Sequence, residues 1–271
     1  MDNYFVLNNG VKMPAIGFGT VGLKGKEGID VILSAISAGY RMIDTARMYG
    51  NEAEVGEAIK KCGLSRSDLF ITTKLNEPCN SYSKAKAAIE DSLKNLGLDY
   101  VDLLLIHEPY PEAVEMYRAL EEAYKDGKAR AIGVSSFNER KLKSILENCS
   151  VIPAVNQIES HVYYPELELK EYLKLKNIQT EAWAPFGGGN IKVSEEPVLV
   201  KIGEKYGKTA NQVALKFLIQ NEIAAIPKSR NPERMKQNLE IFDFNLTEEE
   251  MAEIKTLDRK ETLYDWMKDW E

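Results

Sequence analysis

The sequence predicts a (β/α)8 TIM barrel with an N-terminal β-hairpin cap and extra helices near the C-terminus. Three observations predict it. Strand-like and helix-like segments alternate eight times along the 271 residues, at a spacing close to that of a βα unit. No break in composition divides the chain, so one domain spanning 1–271 is expected. One strand segment, 101–106, is apolar apart from Asp102, as a strand covered on both faces requires.

Taken in order, Tyr4 to Leu7, Asn8-Asn9-Gly10 and Val11 to Pro14 read as a hairpin with Asn-Gly in the turn, placed to cap the amino end of the barrel. Residues 15–18 form the first expected barrel strand and 28–38 its helix. Strands are then expected at 41–43, 69–74, 101–106, 130–134, 153–158, 179–183 and 223–227. The helices between them fall at 52–62, 83–96, 111–125, 139–147, 166–176, 197–206 and 209–220, with one more starting near Pro232. Pro111 suits the first turn of its helix. A terminal helix at 247–257 opens on a capping box of Thr247 and Glu250. The tail then carries Tyr264, Trp266 and Trp270, which cover either the outside of the barrel or its mouth.

Composition excludes several classes of function. A net charge of −7 disfavours nucleic acid or an anionic membrane as partner, because both need a basic face. No apolar run approaches a membrane span, and no basic segment leads an apolar one as in a signal peptide. Cys62, Cys79 and Cys149 are scattered and odd in number, which suggests reduced thiols and a cytoplasmic setting. With only His107 and His161, no zinc-type ligand set can be assembled, and no metal is expected.

Two motifs are decoys. Gly17-Phe-Gly-Thr-Val-Gly22 matches a dinucleotide fingerprint, but a helix must open within that motif to meet a pyrophosphate. Here the helix is expected only from about Gly28. Tyr82-x-x-x-Lys86 has a dehydrogenase-like spacing that recurs at Tyr124/Lys128, Tyr172/Lys176 and Tyr264/Lys268, as chance produces in such a chain.

The chemistry lies at the carboxyl ends of the second, third and fourth strands. Asp44 ends one, with Tyr49 just beyond it; Lys74 ends the next; His107 ends the next. In a barrel these ends converge on one mouth, where such enzymes place their active sites. Taken singly, Asp44 reads as a helix cap, Tyr49 as a packing aromatic, Lys74 as a surface lysine and His107 as a satisfied core histidine. Together they make a proton-donating site. A phenol of ordinary pKa is a weak acid at neutral pH, and a neighbouring lysine cation is expected to lower that pKa. Asp44 would hold Lys74 charged, and His107 would donate to a carbonyl oxygen and set its angle.

These residues resemble the aldo-keto reductase family over essentially the whole chain. The resemblance rests on Gly17-Phe-Gly-Thr20, on Arg41-Met-Ile-Asp-Thr-Ala through Tyr49-Gly-Asn-Glu52, on Lys74 and on Leu-Leu-Ile-His107. It implies that Asp44, Tyr49, Lys74 and His107 are a catalytic tetrad with Tyr49 as the acid, and that NADPH supplies the hydride. It further implies cofactor contacts at Thr20, Ser135, Ser136 and Gln157, with Trp183 as the aromatic that stacks on the nicotinamide. Lys228, Ser229, Arg234, Gln237 and Asn238 are similar to the adenosine-phosphate segment. Independently of the resemblance, Lys228, Ser229 and Arg234 set two cations and a hydroxyl beside a helix N-terminus, which suits a dianionic phosphate.

Departures from the family shape the expected substrate. Ser136 stands where Asn is usual and Trp183 where Tyr is usual. Val21 replaces a bulky aromatic, and Glu108 follows His107 where many relatives carry Trp. Val21, Glu108 and Tyr110 are the expected substrate-facing residues; a carboxylate there would repel anionic substrates. Little sequence follows the last helix, so a permissive pocket taking small carbonyl compounds is expected. The leading reading is a monomeric NADPH-dependent carbonyl reductase. The alternatives are an NADPH-holding, redox-sensing barrel with slow turnover and a barrel hydrolase or isomerase acting without nicotinamide.

Overall fold

The structure is a computed structural model that describes residues 3–268; Trp270 of the aromatic tail lies outside them. The hairpin comes first, with β1 (Tyr4–Val6) antiparallel to β2 (Lys12–Pro14). The barrel units follow: β3 (Phe18–Gly19) and α1 (Gly25–Ala38), β4 (Met42–Asp44) and α2 (Glu52–Lys61), β5 (Phe70–Leu75) and α3 (Tyr82–Leu96), and β6 (Val101–Ile106) and α4 (Ala113–Lys125). The second half holds β7 (Ala129–Ser135) and α5 (Glu139–Leu146), β8 (Val155–Glu159) and α6 (Leu167–Leu175), and β9 (Gln179–Trp183), from which two helices run, α7 (Pro197–Tyr206) and α8 (Ala210–Gln220). Last come β10 (Ile223–Ala225), α9 (Pro232–Leu239), α10 (Glu248–Lys255) and the short α11 (Asp265–Lys268).

Strands β3 to β10 are all parallel and pair in sequence order. The circle closes where Ile16 bridges Ala225, with Gly17 N–H donating to Ala225 O at 2.8 Å and Ala225 N–H to Ala15 O at 2.9 Å. The hairpin sits under the amino ends of the strands, as its position in the chain predicts. Asn8 Nδ2 donates to Pro153 O at 3.0 Å and Asn9 Nδ2 to Arg130 O at 2.9 Å, while Leu7 and Met13 pack into the barrel interior.

Side chains alternate along each strand, and the inward series changes character from bottom to top. Met42, Phe70, Leu103, Leu105, Val155 and Ala224 fill the lower interior. Two to four residues further along the same faces stand Asp44, Lys74, His107, Gln157 and Lys228. The upper layer is therefore polar, set on a dry, close-packed floor. A second, larger core lies between the sheet and the helices.

Two boundaries differ from expectation for local reasons. Helix α1 opens at Gly25, not Gly28, because Lys24 is extended and Gly25 turns through a positive φ of 62°. It still opens beyond Gly22, so the glycine motif does not present a helix N-terminus as a dinucleotide fingerprint must. Pro111 lies in the turn before α4, not inside it. The Thr247–Glu250 capping box forms, each side chain bonding the other's backbone N–H.

Candidate active site

Asp44 is the last residue of β4, and Tyr49 closes a 3₁₀ turn, Arg47–Tyr49, that follows it. Lys74, near the end of β5, is wholly buried. Its Nζ donates to Asp44 Oδ1 at 2.5 Å, to Thr45 O at 3.1 Å and to Tyr49 Oη at 3.5 Å. Asp44 is thus an ion-pair partner and not a helix cap. Burial opposes the charge on Lys74, but Asp44, Tyr49 and Glu181 together more than offset it, so its pKa is held above the ordinary lysine value.

Lys74 pulls on Tyr49 in the expected direction, but it does not set the net shift. Burial pushes its hydroxyl above the ordinary tyrosine value. Lys74 pulls the other way without overcoming burial, while Asp44 and Glu181 add to the rise. The ammonium therefore favours the phenolate only relative to the same site without it. His107 packs edge-on against Tyr49, ring centroids 5.5 Å apart at 75°. Burial, reinforced by the charge on Lys74, drives the His107 pKa down to about 3. Its imidazole is neutral at any ordinary pH and offers hydrogen-bonding capacity without charge.

These groups lie at the base of a cleft of about 740 Å³. Thr20, Val21, Glu108, Ser135, Ser136, Gln157, Trp183 and Lys228 all line it. Thr20 is fully buried and donates its hydroxyl to Asp44 O at 2.8 Å, tying the first loop to β4. Trp183 Nε1 donates to Ser136 Oγ at 3.3 Å, and the indole lines the cleft. Ser136 itself has φ +64°, a left-handed conformation that Asn adopts more readily than Ser. Burial raises the pKa of half-buried Glu108.

The basic segment 228–238 joins the cleft through Lys228. Lys228 Nζ donates to Val21 O at 3.1 Å, and Ser229 Oγ accepts from Asn231 N–H at 3.1 Å. Asn231 caps α9 by accepting from Arg234 N–H at 3.1 Å, so the Arg234 side chain leaves the first turn of that helix into solvent. Gln237 is half-buried one turn on, and Asn238 is turned inward at 4% exposure. The set suits a dinucleotide phosphate: cations and a hydroxyl at a helix N-terminus, joined to a cleft whose far wall is an indole.

Tyr110 is a further correction. It does not line the cleft but packs, half-buried, against the helix–sheet core. Four residues past the end of β6, its direction is set by the turn and not by strand alternation. The tail supplies the missing wall. Tyr264 meets Trp183 edge-on at 4.8 Å, and Trp266 stacks on it at 5.9 Å and 16°. Glu159 pins this segment by accepting from the Thr262 hydroxyl and from Leu263 N–H, the latter at 3.1 Å. Gly188 lines the cleft at a φ of +60°, and a Cβ there would collide with the Tyr264 hydroxyl. Met48 and Phe186 also line it.

The sequence reading missed Glu181, which is fully buried on β9. Gln157 Nε2 donates to Glu181 Oε2 at 2.8 Å and to Asp44 Oδ2 at 2.9 Å. A carboxylate two residues before Trp183, and so on the same face of its strand, was the available signal.

Comparisons with known proteins extend over most of the chain. The profile of the Aldo/keto reductase family matches residues 15–259. A morphine 6-dehydrogenase from Pseudomonas putida is 45% identical over 266 residues, covering 93% of this chain and 90% of that protein. The crystal structure of an aldo-keto reductase enzyme from a Medee basin deep-sea metagenome library superposes with a TM-score of 0.94 at 44% identity, over 96% of this chain and 97% of that one. A Bombyx mori aldo-keto reductase in complex with NADP superposes with a TM-score of 0.91 at 34% identity, over 98% and 96%.

Proposed function

This chain belongs to the aldo/keto reductase family, and from that premise we propose that it reduces small aldehydes and ketones to alcohols with NADPH. The observation that carries the proposal is the buried Lys74 ammonium, held at 2.5 Å by Asp44 and 3.5 Å from the Tyr49 hydroxyl at the base of the cleft.

NADPH, when bound, supplies the hydride. The remaining work falls to side chains of the protein. Tyr49 gives its proton to the carbonyl oxygen, and the phenolate that results lies beside Lys74. With Lys74 fully buried, that pairing strengthens as negative charge develops, so it lowers the barrier more than it stabilises the resting phenol. Asp44 keeps Lys74 charged and in place. His107, uncharged, orients the carbonyl by a hydrogen bond without competing as a proton donor. In reverse, the phenolate accepts the proton of an alcohol, the direction for which the Pseudomonas putida relative is named.

Ser135, Ser136 and Gln157 would hold the carboxamide and Trp183 would cover the ring, while Thr20 braces the first loop. Lys228, Ser229, Arg234, Gln237 and Asn238 would hold the adenosine end, with the two cations favouring NADPH over NADH. Val21 widens the pocket. Glu108, with Tyr264 and Trp266, selects neutral carbonyl compounds with an apolar body over carboxylated ones. The protein acts as a single barrel and a monomer. Among the described residues no helix is long and apolar enough to cross a membrane.

The test is to follow NADPH absorbance with a panel of aldehydes, ketones and quinones. Rapid oxidation with neutral carbonyl compounds is the expected result. Tight NADPH binding without turnover would overturn it in favour of a cofactor-holding barrel, and no NADPH binding would leave chemistry without nicotinamide.

A further inference from the structure

Gln157 stands between two carboxylates, 2.9 Å from Asp44 Oδ2 and 2.8 Å from Glu181 Oε2, both measured from its Nε2. A primary amide has two N–H donors, and an ionised carboxylate only accepts. Both N–H groups are therefore spent, one on each carboxylate. The flipped amide would point its carbonyl oxygen at two acceptors, so the orientation is dictated by chemistry. What Gln157 has left for the cleft it lines is Oε1, an acceptor.

Glu181 has no other evident purpose. It is fully buried, lies in register opposite Gln157, and its Oε1 has no hydrogen-bond partner among the described residues. Asp44 and Glu181 share one nearby cation, Lys74. A carboxyl group so placed destabilises the fold, and an apolar side chain of similar size would pack there more favourably.

We propose that Glu181 is a positioning residue: with Asp44 it locks the Gln157 amide so that Oε1 faces the cleft, and the site thereby selects a ring substituent that donates an N–H. The carboxamide of nicotinamide has that donor; a methyl ketone in its place has none. The inference rests on Gln157 holding the carboxamide, as in the proposed function. Burial and the Asp44 charge raise the Glu181 pKa to about 7. The charged or titratable groups acting with it are Asp44, Lys74 and the Tyr49 hydroxyl. A proton on the unpartnered Oε1 leaves Oε2 free to accept, so the lock holds on both sides of neutrality.

The experiment measures binding by tryptophan fluorescence of the full chain, using NADP+ and its 3-acetylpyridine analogue as probes. The parent chain should bind NADP+ about tenfold more tightly, the equivalent of one hydrogen bond. Glu181→Met should bring the two affinities within about twofold, while Glu181→Gln, which can still accept from Gln157, keeps the difference. The Met variant should fold at least as stably as the parent at pH 8. There the parent has lost the proton that its folded form binds more tightly than the unfolded chain, so its stability falls as pH rises from about 4.5 through about 7. A parent chain that binds the two probes equally, a Met variant with full discrimination, or a Gln variant that loses it would each overturn the inference alone. Absence of NADP+ binding by the parent would overturn the proposed function together with it.

Discussion

The barrel buries acidic groups at both ends and treats them in opposite ways. At the amino end, Asp102 on β6 is fully enclosed and fully matched: Arg66 and Arg130 each approach a carboxylate oxygen at 2.7 Å, and Ile71 N–H donates at 2.8 Å. At the carboxyl end, Asp44 and Glu181 lie near a single lysine, and that lysine also reaches a tyrosine. Two cations for one anion leave nothing to react. One cation for two carboxyl groups and a phenol leaves protonation states close in energy, which proton transfer requires. The same fold thus places a fully matched ion cluster at its base and an under-compensated one at its mouth, where such barrels carry their chemistry.

That contrast can be broken at either end. The largest effect on folding should come from Asp102→Asn, which removes the charge that two arginines share. A loss of about 2–3 kcal/mol in chemical denaturation is expected, with kcat per folded molecule unchanged. A stability-neutral result would mean that Asp102 is no structural counterpart to the mouth. In the basic segment, Arg234→Ala should raise KM for NADPH about tenfold and for NADH less than twofold, because an exposed cation facing a dianionic phosphate matters only when that phosphate is present. Equal changes would remove Arg234 from the phosphate site. The smallest effect should come from Glu108→Gln, a threefold or so gain in kcat/KM for a carboxylated aromatic aldehyde against its neutral analogue. A parent enzyme that already prefers the carboxylate would contradict the assigned role of Glu108.

The two ends also differ in how legible they were in the sequence. Repeating βα spacing exposes the barrel, because each strand and helix must bury a face on its own period. Asp44, Lys74 and His107 could be read because each marks a strand end, where alternation and topology jointly fix direction. Boundaries slipped where the backbone left regular geometry, as at Gly25, and Tyr110 was misplaced because a turn separates it from β6. Glu181 drew no role from the sequence because its meaning depends on Gln157 on the neighbouring strand and, through it, on Asp44 across the barrel. The tail could not be placed until Glu159 was seen to pin Thr262 and Leu263, bringing Tyr264 and Trp266 against Trp183. The three arginine and backbone contacts that match Asp102 were equally hidden, although the lone acid in an apolar strand announced that something must satisfy it.

In the proposed function, the mouth of this barrel transfers a proton through Tyr49. It is tested most directly by measuring kcat for carbonyl reduction by Tyr49→Phe at saturating NADPH and aldehyde. The account predicts a loss of about a thousandfold, the upper range for removing a general acid, with NADPH affinity within about twofold of the parent. Turnover within tenfold of the parent would contradict it.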